Sequence, residues 1–333
     1  MRPLRTLARR ALPLPLLLLA AAGTPAAAQE PAPDREGLGT WITLGTNAGP
    51  VIVPERSQPA NLLRFAGKDY LVDVGDGAAG RMEQAGVQSR AVDAIFLSHL
   101  HFDHTGGLAA VLGLRFQTSA RDPLTIYGPP GTRELVEGLL ASMVPGVTAN
   151  YGVEGAPPVD HRAGITVREL RDGDRIEVDG MTVTAARNTH YSFPEGSAMA
   201  QRFQSLSLRF DLPGRAIVYT GDTGPSARLE ELAKGADLLV AEMMDIPLTI
   251  ARLIAANPGI PEGQLQAMQT HLAHHHLSPA DLGALAARAD VGGLVVTHFS
   301  GWDAGSPEHF AYLTTLSAAY SGPFEIADDM DAY

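Results

Sequence analysis

The sequence predicts a layered α/β protein whose folded part is one domain, residues 41–333. Two observations carry that expectation. Short apolar runs of strand length recur in two sets, and stretches with helical spacing lie between them in both halves. Within 41–333 there is no sharp linker and no repeat of fixed period.

The chain opens on a leader. "MRPLRTLARRALPLPLLLLAAAGTPAAAQE" starts with arginines, runs through leucine and alanine, and closes on Ala26-Ala27-Ala28, the layout of a secretory signal peptide spanning 1–28. Its apolar run falls short of the roughly 20 residues a membrane span needs, and Pro13 and Pro15 interrupt it. The expectation is cleavage near Ala28, a periplasmic or secreted location, and no stable membrane insertion. Residues 29–40, "QEPAPDREGLGT", read as a flexible N-terminal segment.

The full chain has 37 acidic and 25 basic side chains, a net charge of −12, and losing the leader's arginines makes the remainder more acidic. Nucleic-acid backbones are held mainly by lysine and arginine, so the balance argues against a nucleic-acid partner. Cysteine is absent. Any metal must therefore sit on nitrogen and oxygen.

Strands are expected at 41–45, 61–66, 70–74, 94–99 and 124–128. A second set follows at 165–170, 181–187, 206–212, 216–222, 237–243 and 293–298. Most are continuous apolar runs, as strands covered on their faces require. Helical spacing falls around 77–86, 106–114, 131–143, 226–234, 262–272, 279–288 and 306–319.

The chemistry concentrates where strands end. In "FLSHLHFDHTGG", His99 and His101 share one face of an extended segment, so both imidazoles can reach one ion. Asp103 and His104 come where Thr105-Gly106-Gly107 turns into a helix, so they can reach a second. His190, Asp222 and His298 each follow an apolar strand run. Seven nitrogen and oxygen donors suit two divalent ions, zinc first, with manganese or iron as alternatives. Asp73 in "YLVDVGDG" is expected to support a ligand histidine by hydrogen bonding.

These residues resemble the ligand set of the metallo-β-lactamase fold, and "LGTNAGP", "LVDVGDG", "LTIYGPPGTRELVEGLL" and "YTGDTGPSARLEELAKGADLLVAE" resemble its ribonuclease Z-like and arylsulfatase-like branch. The resemblance spans most of 41–300. It implies an αββα sandwich with a dinuclear site at one edge of two sheets. It also implies that His99, His101 and His190 bind one metal, that Asp103, His104 and His298 bind the other, and that Asp222 bridges them.

A proton donor is expected from "HLAHHHLSPADLGALAARA". Ser278, Pro279 and Asp281 form a helix start, and His276 just before it matches the family's catalytic histidine. Glu242 matches the glutamate of the family's His-Glu-Ala-Thr motif and would orient His276; Ala241 replaces that motif's histidine. Asp103 is counted with the catalytic set. His271 reads as solvated, as do His161 and His309, while His274 and His275 stay open. The connection between His190 and Asp222 is too short for the long basic arm of ribonuclease Z. Residues 245–275 are read as a helical cap insertion, with Tyr191, Phe193 and Trp302 as candidates for the mouth.

These readings predict an exported dinuclear-metal hydrolase attacking a small phosphodiester or sulfate ester with a metal-bridging hydroxide. Its partner would be that small ester and not a nucleic acid; dimers are common in similar proteins, so a homodimer stays open. The alternatives on the same site are a β-lactam or lactone hydrolase and, less favoured, a tRNA 3′-end endonuclease or a non-catalytic binding module.

Overall fold

A computed structural model describes residues 37–333, so the leader at 1–28 and most of the lead-in lie outside the described residues. One sheet is six-stranded and ordered β1 (Thr40–Gly45), β2 (Ala60–Phe65), β3 (Lys68–Val74), β4 (Ala94–Phe96), β5 (Leu124–Gly128) and β6 (Ile165–Glu169). The other has seven strands, β7 (Arg175–Val178), β8 (Met181–Arg187), β9 (Leu206–Leu212), β10 (Arg215–Tyr219), β11 (Leu238–Met244), β12 (Leu294–Ser300) and β13 (Phe324–Ile326), in the spatial order 13-12-11-10-9-8-7. Each sheet pairs antiparallel over its first strands and parallel over its last ones.

The helices are α1 (Ala78–Gln84), α2 (Phe102–Thr105), α3 (Leu108–Gln117), α4 (Thr132–Ser142), α5 (Val144–Ala149) and α6 (Ala198–Arg202). They continue as α7 (Ala227–Ala233), α8 (Ile246–Ala256), α9 (Glu262–His275), α10 (Pro279–Arg288) and α11 (Pro307–Ala319).

Strand residues alternate between two cores, which is why the runs are apolar throughout. Trp41, Leu63, Tyr70 and Phe96 point between the sheets and meet Met181, Phe210 and Tyr219. Their neighbours Ile42, Leu62, Leu71 and Ile95 point outward and meet Met82, Val111 and Leu140 on α1, α3 and α4. On the other sheet, Val218, Leu239 and Val296 meet Leu229, Leu282 and Leu316 on α7, α10 and α11. The result is the αββα sandwich that the resemblance implies.

β7 and β13 fall outside the expected strands. β7 carries exposed charges at a sheet edge and β13 has three residues, so neither shows the long apolar run of a covered strand. Helices α8 and α9 occupy the stretch read as a cap. They meet through Met244, Leu253 and Leu272, a small apolar cluster apart from the three main cores.

Residues 330–333 run along the outer edge of β1: Trp41 and Tyr333 exchange backbone hydrogen bonds at 3.0 and 2.9 Å, and Thr43 N–H donates to the Asp331 carbonyl at 3.0 Å. Just before them, the Asp329 carboxylate accepts the N–H and hydroxyl of Thr46, accepts the N–H of Ser57, and pairs with Arg81 at 2.9 Å. One side chain thus pins both ends of the loop after β1.

Candidate metal centre

The donors converge where strand ends meet. After β4, Ser98 leaves the ladder and donates its N–H to Asp73 Oδ1 and its hydroxyl to Asp73 Oδ2, both at 2.7 Å. His101 is extended and precedes α2, whose first turn aims Asp103 and His104 back toward the strand ends. That turn is seated closely: a Cβ on Gly107 would lie 2.2 Å from the Gly75 carbonyl oxygen, so only glycine fits there. His190 follows β8, Asp222 follows β10, and His298 lies in β12 at a positive φ of 41° opposite an irregularity in β11.

Two donor sets form around Asp222, beside a third group made by His190, His271 and His276. One nitrogen each of His99, His101 and His190 lie within 4.8 Å of one another, and Asp103, His104, Asp222 and His298 make a second set by the same measure. Asp222 faces both. Its Oδ1 is 3.0 Å from His104 Nε2 and 3.2 Å from His298 Nε2, and its Oδ2 is 3.8 Å from the Nε2 atoms of His99 and His190. Asp103 Oδ2 lies 3.5 Å from His298 Nε2 and accepts the Gly49 N–H at 3.2 Å.

Hydrogen bonds on the far side of each ring decide which nitrogen offers a lone pair. His104 Nδ1 donates to Asp73 Oδ2 at 2.7 Å, an atom that also accepts the Tyr219 hydroxyl at 2.8 Å. With the Ser98 hydroxyl committed to Asp73, His99 Nδ1 donates to Ser98 Oγ at 3.1 Å. His190 Nδ1 donates to the His275 carbonyl at 3.1 Å, and its N–H donates to Asn188 Oδ1. All three therefore turn Nε2 inward. Among the described residues, His99 Nε2, His104 Nε2, Asp222 Oδ1 and both His298 nitrogens are buried without a hydrogen-bond partner. Buried polar atoms are normally paired, so an orphaned cluster of lone pairs fits a cation. These histidines and aspartates could hold one.

The electrostatics follow from burial against charge. Burial holds His99 and His190 well below the ordinary histidine value. Burial also opposes a charged Asp222, but His104 and His298 outweigh it and keep the carboxyl well below its usual range. By the same balance Asp222 holds His104 and His298 up against burial. Protons and metal ions compete for such positions.

Beside the donors, His276 Nδ1 donates to Glu242 Oε2 at 2.8 Å, and Glu242 Oε1 accepts the Thr223 N–H at 2.5 Å. Burial lowers the His276 imidazole, but Glu242 outweighs it and the value rises. A cavity of about 350 Å³ opens over the donors, lined by Phe102, Met244, Leu253, Met268, His271 and His276 among others. Tyr191 packs against His101 and His190 with ring centroids 5.3 Å from each, and Phe193 packs on Tyr191.

The expectation for His271 is corrected. It is half-buried on α9, with its ring 4.8 Å from His190 and 5.4 Å from His276. Burial and its histidine neighbours push it down to about 4. A polar, Gln-rich helix gave no sign of which face looks inward. His275 donates to the Thr189 carbonyl at 2.7 Å and is not among the residues lining the cavity. His161 and His309 make backbone contacts elsewhere. Asn188, Ser98, Tyr219 and Thr223 were not foreseen, because small polar residues at strand ends carry no distinctive spacing.

Residues 69–299 match the family model described as the β-lactamase superfamily domain. Ribonuclease Z of Mycolicibacterium paratuberculosis is 34% identical over 298 residues, covering 87% of this chain and 96% of that protein. Ribonuclease Z of Mycobacterium marinum is 31% identical over 293 residues with the same coverage. Among solved structures, the metallo-β-lactamase fold protein YhfI from Bacillus subtilis superposes with a TM-score of 0.64 at 17% identity, covering 89% of this chain and 98% of its own. The short form of human tRNase Z gives 0.57 at 21%, covering 88% and 98%. At these identities the two structures speak for the fold alone.

The relatives overturn two expectations, the exported hydrolase of small esters and the absence of a nucleic-acid partner. Net charge averages over the whole surface, whereas a substrate meets the local field at the site, which bound cations dominate. The short stretch between His190 and Asp222 does not discriminate either. The match to a protein named ribonuclease Z runs over 298 residues with 87% of this chain in it, which leaves no room for a long extra arm in that relative within the matched region.

Proposed function

The chain belongs to the β-lactamase superfamily and is a hydrolase of the metallo-β-lactamase fold; on that premise we propose that it is a metal-dependent ribonuclease of the Z type, hydrolysing a phosphodiester bond in tRNA. The observation that carries the metal chemistry is Asp222, whose two oxygens face two separate donor sets. The relatives named ribonuclease Z supply the substrate class.

In this reading His99, His101 and His190 would hold one divalent cation, Asp103, His104 and His298 a second, and Asp222 would contribute an oxygen to each. Zinc suits the nitrogen-rich set, with manganese or iron as alternatives. Bound there, the cations supply Lewis acidity and neutralise charge at the phosphoryl group. Asp73 and Ser98 fix the rings so that their lone pairs point inward. His276 serves as proton donor to the leaving oxygen. Glu242 fixes its Nδ1 proton, which leaves Nε2 as the atom that exchanges a proton with substrate. Phe102, 74% exposed and on the cavity lining, offers a ring to an unpaired base.

The test is incubation of the zinc- or manganese-loaded protein with a tRNA precursor carrying a 3′ trailer. Discrete cleavage that H276A slows supports the proposal. An intact precursor at full metal occupancy overturns it.

A further inference from the structure

Trp302 lies just past β12, four residues beyond His298, and is 40% exposed. The Arg252 guanidinium stands over its ring, 5.8 Å from the centroid, within the range of a cation–π contact. Arg252 has no carboxylate partner among the described residues. Its neighbours differ: Arg56 pairs with Asp303 at 3.3 Å and Arg81 with Asp329 at 2.9 Å. Arg252, with these four residues, Glu55 and Asp328, lines a cavity of about 460 Å³. Three arginines against three aspartates and Glu55 give it no excess of positive charge, so what an unpaired base could use here is the exposed Trp302 ring beside Arg252.

The pair is mounted rigidly. Trp302 N–H donates to the Tyr312 hydroxyl at 3.2 Å, and that hydroxyl donates to Asp245 Oδ2 at 2.5 Å. Asp245 caps α8 by accepting the Leu248 N–H at 3.0 Å, and its own N–H donates to the Ser300 carbonyl. The helix carrying Arg252 and the loop carrying Trp302 are thus tied together. The next residue on that helix, Leu253, lines the metal cavity.

We propose that the Arg252–Trp302 pair is a stacking subsite for an unpaired base of the RNA. The inference rests on the ribonuclease reading and adds the residues that grip the strand. An exposed indole backed by a guanidinium holds any base by its π-face, without reading its identity.

The sequence has two tryptophans, and Trp41 is fully buried, so emission accessible to ligand belongs to Trp302. A short single-stranded RNA added to metal-loaded H276A protein is expected to quench that emission saturably, and R252A to weaken the quenching. In otherwise wild-type enzyme, W302A and R252A are expected to raise KM for precursor RNA about tenfold or more with kcat largely kept, and W302F to restore most of the loss. Cleavage whose KM ignores both residues, without quenching, overturns the subsite and leaves the ribonuclease reading standing. RNA that is neither cut nor able to quench overturns both.

Discussion

His276 and Glu242 share a hydrogen bond of 2.8 Å between two side chains almost closed to solvent. Because Thr223 holds the other carboxylate oxygen, Glu242 cannot swing away, and the imidazole has one orientation. Replacing His276 with alanine should lower kcat on RNA by about 10²–10⁴-fold, the usual worth of positioned proton transfer, while metal content stays at the wild-type level. Glu242→Gln should give a smaller loss, because the amide can turn an N–H toward Nδ1 and force the other tautomer. Elemental analysis beside the kinetics separates the roles: lost metal in H276A would make the residue structural.

Asp73 supports the centre from behind. Asp73→Asn keeps the shape but weakens the acceptor that fixes His104 and receives Ser98 and Tyr219. Metal affinity should fall about 10–100-fold. Competition with a chromophoric chelator measures it, and unchanged affinity would remove Asp73 from the metal's support.

Gly49 donates to Asp103, and a Cβ there would lie 2.1 Å from Asp103 Oδ2. Gly49→Ala should therefore push Asp103 off its position and release the cation it shares with His104 and His298, leaving the other in place. Stoichiometry near one metal per chain is the expected result. Two retained metals would show that the carboxylate adapts.

Phe210 is fully buried between the sheets, 6.0 Å from Trp41 and edge-on to Phe96 at 5.3 Å. Phe210→Ala should cost about 3–5 kcal/mol of stability, read from urea unfolding at an unchanged slope. A cost under about 1 kcal/mol would mean the sheets close over the gap.

The strands and donor positions were legible for one reason. Strands with both faces buried are written as unbroken apolar runs, and a histidine or aspartate at the end of such a run has little structural cause to be there. His99, Asp222 and His298 stand out in that way. Edges lack the contrast: β7 spends alternate positions on solvent and β13 is too short to show a pattern. His271 was hidden because α9 carries polar residues on more than one face, and spacing alone does not say which one looks inward; Arg252 was hidden as a lone charge on an otherwise apolar helix. Substrate class was misjudged from net charge, a property of the whole surface that is silent about the local field at the site.

The donor residues all lie between positions 99 and 298, yet the loop that steadies Asp103 through Gly49 is tethered by Asp329. A ribosome that has already threaded every histidine of the centre into its tunnel still has this anchor to make. The wall of the pocket at Gly49 thus depends on a residue 31 positions beyond the last donor, His298. Loosening Asp329 and the segment 330–333 from β1 would slacken the support of Asp103 without touching any of the seven donors.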